Sequence, residues 1–285
     1  MFSLKKITFA ADSLKIMEAN NILFAFGLTL FAGLATGVGS IIGLLHKRFN
    51  PKFLAASLGF SAGVMIYVSL VEIFFKAKDS LTLEFGYKTG YWYTIIGFFS
   101  GIALIAIIDK LIPSGENPHE IKKTRDYFHP GKKDKTRLMR MGLFSALAIA
   151  IHNFPEGLAT FMAAMTDQTL GISIAIAVAI HNIPEGLAIS VPIYYATGSK
   201  KKAFIFSFLS GLAEPIGALI GFMFLSWYYS DAAFGFIFAA VAGIMIYISL
   251  DELLPTAEEY GEHHIAIYGL IGGMAVMAIS LVLMT

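Results

Sequence analysis

The sequence predicts an all-α, polytopic membrane protein of eight transmembrane helices built as inverted repeats. Three observations predict it. Of 285 residues, 56% are hydrophobic and 14% charged, with mean hydropathy +0.70, which is more apolar surface than a soluble core of this length can hide. The apolar residues fall into eight runs close to the ~20 residues that a helix needs to cross a bilayer. Stretches of the early runs also recur in later runs that cross in the opposite direction. The formal net charge of +1 says little about partners, and the absence of cysteine excludes disulfides and thiolate metal sites.

Taken in order, residues 1–20 carry Lys5, Lys6, Asp12, Lys15 and Glu18 and read as an amphipathic lead-in, not a cleaved signal peptide. Spans are expected near 21–45, 53–75, 91–109, 141–163, 169–193, 203–227, 232–254 and 265–284, within a single domain over 1–285. Fifteen of the 21 Lys and Arg lie in the loops after spans one, three and five. Such residues are retained in the cytoplasm, so both termini are expected outside it, in a plasma (inner) membrane. The basic loop 110–140 reads as a solvated connector, in which the isolated His119 and His129 are weak signals for metal. Tyr91-Trp92-Tyr93 and Trp227-Tyr228-Tyr229 read as interface anchors.

A decapeptide occurs twice: Ala150-Ile-His-Asn-Phe-Pro-Glu-Gly-Leu-Ala159 in span four and Ala179-Ile-His-Asn-Ile-Pro-Glu-Gly-Leu-Ala188 in span five, differing only at Phe154 and Ile183. Residues 63–72 of span two match 243–252 of span seven at seven of ten positions, and 33–43 of span one match 211–221 of span six at six of eleven. Each pair is an odd number of spans apart, so its members run oppositely, which is the signature of inverted repeats. In transporters the binding site of such a fold lies at the repeat interface near the midplane.

On a helix His152, Asn153 and Glu156 share an arc of about 100°, as do His181, Asn182 and Glu185, and Glu214 lies at the middle of span six. Pro155, Pro184 and Pro215 free the carbonyls of Ile151, Ile180 and Gly211. A single buried His or Asn is ordinarily a helix-to-helix hydrogen bonder, but a duplicated set of costly groups argues for metal. Three carboxylates in one dry site repel unless protonated or neutralised by a divalent cation. Two overlapping sites follow. His152, Glu156, His181 and Glu185 form a nitrogen and oxygen set suited to Zn2+ or Fe2+. Asn153, Glu156, Asn182, Glu185 and Glu214 form an oxygen set that also accepts Mn2+ or Co2+, with both motif glutamates bridging.

These elements resemble the ZIP family of divalent-metal transporters, in its bacterial zinc-transporting branch. The matching residues are His152 to Gly157, His181 to Gly186 and Gly211-Leu212-Ala213-Glu214-Pro215, and the span layout and the long basic connection agree. The resemblance implies a three-two-three helix arrangement, two adjacent metal positions shared between spans four and five, and movement of metal into the cytoplasm. Many family members carry an aspartate where Asn182 stands, so the oxygen site here holds one charge fewer. The connector lacks the dense histidine run of some relatives.

The expected activity is zinc uptake, with Fe2+, Mn2+, Co2+ or Cd2+ as secondary cargo, no enzymatic cofactor and no nucleic-acid partner. The partners expected are the metal ions, the bilayer and a second copy in a homodimer. Glu72 is expected to help admit metal, and Asp109, Asp251 and Glu252 to receive it on exit, against a plain reading of all four as interfacial charges reaching water. A passive metal channel is the nearer rival. A membrane metalloenzyme is the remoter one, since no predicted span holds a Glu-x-x-His pair and His-Glu-x-x-His does not occur.

Overall fold

The computed structural model describes residues 19–45, 50–111, 132–228, 230–260 and 263–284, and among these every regular element is helical. The expectations for the lead-in, His119 and His129 lie outside the described residues. In chain order the elements are α1 (Ala19–Leu45), α2 (Pro51–Val68), a π-helical turn π1 (Ser69–Ile73), α3 (Phe74–Phe85), α4 (Tyr87–Leu111), α5 (Lys132–Thr166), α6 (Gln168–Thr197), α7 (Lys200–Gly211), α8 (Ala213–Tyr228), α9 (Asp231–Ile248), a second π turn π2 (Ser249–Leu253), α10 (Leu254–Tyr260) and α11 (His263–Met284). Local sequence sets the boundaries. Asn50, Asp167, Ser199 and Ser230 cap α2, α6, α7 and α9 through side-chain oxygens, with Pro51 in the first turn of α2 and Gly198 left-handed after α6.

Seven described helical stretches are long and apolar enough to cross a membrane, so the chain is a multi-pass membrane protein. Residues 141–163, expected as a span, are helical within the 35-residue α5, but this stretch is not among the seven. The reason is compositional: His152, Asn153, Pro155 and Glu156 dilute its apolar run, and Lys and Arg crowd its first turns. Two further differences concern continuity. The sixth span is two helices meeting at Leu212, where Pro215 supplies no amide to the turn before it. The second and seventh spans each contain a π turn, closed by Phe74 N–H to Ser69 O and by Leu254 N–H to Ser249 O, and each carries a glutamate, Glu72 or Glu252.

Of the apolar window of α6, 78% is buried, against 17% for α11, so α6 is central and α11 peripheral. Close helix crossings rest on glycine and come in matched pairs. Gly39 and Gly43 of α1 meet the Ile183 carbonyl and Leu187 of α6, while Gly217 and Gly221 of α8 meet the Phe154 carbonyl and Leu158 of α5. Gly63 and Gly273 join α2 to α11 at the Leu270 and Phe60 carbonyls, while Gly243 and Gly101 join α9 to α4 at the Phe98 and Ala240 carbonyls. The second pairing sets α4 in correspondence with α11, although their sequences share no evident motif.

Replacing Gly39 or Gly217 with leucine drives a side chain into the facing backbone, an overpacking worth more than the ~1–3 kcal/mol of an ordinary core insertion. Both variants should lose the monodisperse peak in detergent size-exclusion chromatography. Gly27→Leu, with nothing within 4 Å of its Cβ position, should keep it. Normal elution of Gly39→Leu would refute the close α1–α6 crossing.

Candidate metal site

Both motifs lie inside unbroken helices, Pro155 in α5 and Pro184 in α6, and the two helices pack along each other. His152, Asn153, Glu156, His181, Asn182, Glu185 and Glu214 are all buried, none more than 2% exposed. The structure therefore brings all seven candidate ligands into the interior.

The ionisable groups pair crosswise between helices. Nε2 of His152 lies 3.3 Å from Oε1 of Glu185, and Nε2 of His181 lies 3.3 Å from Oε2 of Glu156. Each carboxylate thus faces the imidazole of the other copy, which spares two anions from meeting without a counter-group. Among the described residues no three His, Asp or Glu side chains converge as ligands of one ion.

The asparagines bond the backbone of neighbouring helices. Asn153 donates from Nδ2 to Ser210 O at 3.4 Å and Asn182 donates to Ala32 O at 2.9 Å, a matched pair of bonds across the two crossings. Asn182 also donates to Glu214 Oε1. With both amide groups engaged, the oxygens Asn153 Oδ1 and Asn182 Oδ1 have no hydrogen-bond partner, nor do Glu156 Oε1, Glu185 Oε2 or Glu214 Oε2. Buried acceptors without donors are costly, and a cation is the ligand that satisfies acceptors alone. Glu214 lies in the first turn of α8, at the positive end of the helix dipole.

The outlying carboxylates are distributed unevenly. Glu72 is part-exposed beside Lys76, 3.9 Å away, whereas its counterpart Glu252 is buried and within Coulombic range of His152. Asp251 and Asp109 both lie close enough to the Tyr247 hydroxyl to act on it electrostatically. Sequence reasoning missed Ser210, Ala32 and Ser61, which meet the motif residues through backbone carbonyls. No signal could have found the first two, since any residue supplies a carbonyl. For Ser61 the signal was its hydroxyl where the matching position holds Val241.

A multi-pass helical protein whose midst holds acceptors for a cation belongs to the class of membrane metal transporters. The family profile described as "ZIP Zinc transporter" matches residues 112–281. The chain is 68% identical to "Zinc transporter ZupT" of Chlorobaculum parvum over 265 residues, covering 93% of this chain and 99% of the relative. It is 66% identical to the protein of the same name from Chlorobium chlorochromatii, covering 93% and 99%, and 64% identical to that of Lysinibacillus sphaericus, covering 93% and 98%. The chain belongs to the ZIP zinc transporter family, whose members are transporters and not enzymes.

The crosswise pairing predicts energetic coupling between His181 and Glu156. A double-mutant cycle with His181→Gln and Glu156→Gln, read by thermal unfolding in detergent, should give a coupling of about 0.5–3 kcal/mol. The cycle of His181→Gln with Glu72→Gln should give none. Additive effects for the first pair would rule out the contact.

Proposed function

We propose that the chain takes up Zn2+ into the cytoplasm through a two-metal site formed by His152, Asn153, Glu156, His181, Asn182, Glu185 and Glu214. Neutral imidazole with carboxylate suits zinc, and the lack of thiolates leaves ligands that release as readily as they bind. Glu156 and Glu185 belong to both metal positions, the histidines to one and the asparagines and Glu214 to the other. The observation that carries this reading is the set of buried, partnerless carboxylate and amide oxygens on both motif helices. The names of the relatives support zinc as the cargo. Fe2+, Mn2+, Co2+ and Cd2+ are secondary cargo.

The transport unit has eight spans, α5 supplying the one whose apolar run its motif dilutes, arranged three-two-three with α5 and α6 in the middle. Matched crossings of α1 on α6 and α8 on α5, and of α2 on α11 and α9 on α4, support two inverted repeats over the whole chain. Both termini face away from the cytoplasm of the inner membrane, and the protein works as a homodimer. A site whose seven side chains are at most 2% exposed favours a carrier with alternating access over an open pore. Glu72 admits metal and Glu252, with Asp109 and Asp251, receives it on exit.

Zinc flux into proteoliposomes tests the proposal directly. Glu156→Ala and Glu185→Ala should each lower flux about 100-fold or more, and no flux from the unaltered protein would overturn the function. In metal titrations of purified protein, His152→Ala should retain the oxygen-rich position while Glu185→Ala loses both. Independent loss of one ion by each variant would refute a bridged pair.

Glu252→Ala should slow flux about tenfold, as expected for a group acting on a liganding histidine. Glu72→Ala should have a smaller effect, because Lys76 and water share its charge. Wild-type rates in both, normalised for surface expression, would remove these residues from the path.

A further inference from the structure

Ser61 of α2 donates its hydroxyl to the backbone carbonyl of His181, 3.1 Å away in the buried interior. Through this bond a helix outside the motif pair reaches the ligand-bearing turn of α6. The turn is receptive because Pro184 supplies no amide and its ring crowds the carbonyls before it, so the backbone there is open to partners on other helices.

The matching contact in the other repeat is absent. The position corresponding to Ser61, as Glu252 corresponds to Glu72, is Val241, and the one corresponding to His181 is His152. Val241 is buried but has nothing to donate. The packing is uneven in the same sense, since α2 lies along α6 far more extensively than α9 lies along α5.

We propose that Ser61 is a positioning residue for transport: its hydrogen bond favours the arrangement in which the α6 motif lies against α2, and Val241 denies the inverted arrangement an equivalent hold. The inference rests on the transport reading, in which the repeats exchange roles between access states. Two states related by perfect inverted symmetry would be equal in energy. One net buried hydrogen bond biases such an equilibrium about fivefold. Ser61 touches no cargo; it acts through the placement of His181.

The chain has no cysteine, so one introduced thiol reports cleanly. Ala177 lines a small cavity beside Glu156, bounded by Val68, Ile73 and Met245, at the contact between the motif helices and α2, π1 and α9. In an Ala177→Cys background reconstituted in one orientation, the labelling rates with a membrane-impermeant maleimide added to either side give a ratio that reads the two states. Ser61→Ala should change this ratio about fivefold, Ser61→Thr should restore it, and Val241→Ser should move it in the opposite direction.

An unchanged ratio in Ser61→Ala would overturn the proposal. So would a shift of Val241→Ser in the same direction as Ser61→Ala, which marks loosened packing and not a removed hold. Zinc flux of the unaltered chain in the same vesicles separates this outcome from failure of the transport reading. No flux with the expected pattern of ratios would leave the hydrogen bond's role intact and overturn the cargo.

Discussion

Three carboxylates and two imidazoles are buried in one apolar interior, and most of the architecture answers to that. Water cannot solvate them at a depth where each unpaired charge costs several kcal/mol. The protein meets this constraint by geometry. Two copies of one motif face each other so that His152 reaches Glu185 and His181 reaches Glu156. The third carboxylate, Glu214, sits at the start of α8 and accepts from Asn182. The pairing leaves several oxygens without donors, so the interior is short of hydrogen-bonding partners and, with its carboxylates ionised, of positive charge. That shortage suits cargo that brings positive charge and no acceptors of its own.

Backbone proximity makes such an interior buildable. Ala32 and Ser210 can orient the two asparagines because α1 and, just after Ser210, α8 approach the motif helices at glycine. Gly157 lies on the Glu214 carbonyl and Gly186 on the Thr36 carbonyl, so each motif glycine marks the point where the neighbouring helix comes closest. Glycine and proline in the motif therefore act together, one admitting a neighbouring backbone and the other disturbing its own.

The sequence made the central features legible because they were chemically expensive. A duplicated His-Asn-x-Pro-Glu-Gly in apolar surroundings has few inexpensive explanations, and its helical phase placed His152, Asn153 and Glu156 on one face before any coordinates. Composition alone gave the membrane class. The correspondence of α4 with α11 was hidden, since lipid-facing helices can exchange one apolar residue for another while keeping glycines at their crossings. The π turns were equally hidden: Ser69-Leu70-Val71-Glu72-Ile73 has ordinary helical propensity, and only tertiary packing selects the wider turn. Glu252, placed by the sequence near the end of its span, is buried beside π2 and within Coulombic range of His152, a proximity that its distance along the chain did not reveal.

Position 214 of the second repeat corresponds to Thr36 of the first, so the site holds an odd number of carboxylates although its helices come in twos. This has a consequence in charge parity. With all three ionised, the cluster carries three negative charges, and divalent ions arrive in steps of two. One ion leaves a surplus of one negative charge and two ions leave a surplus of one positive charge. No whole number of divalent ions neutralises it. In the proposed two-metal site, full and partial loading would therefore differ in the sign of the charge left over, and a symmetric pair of glutamates could not provide that difference.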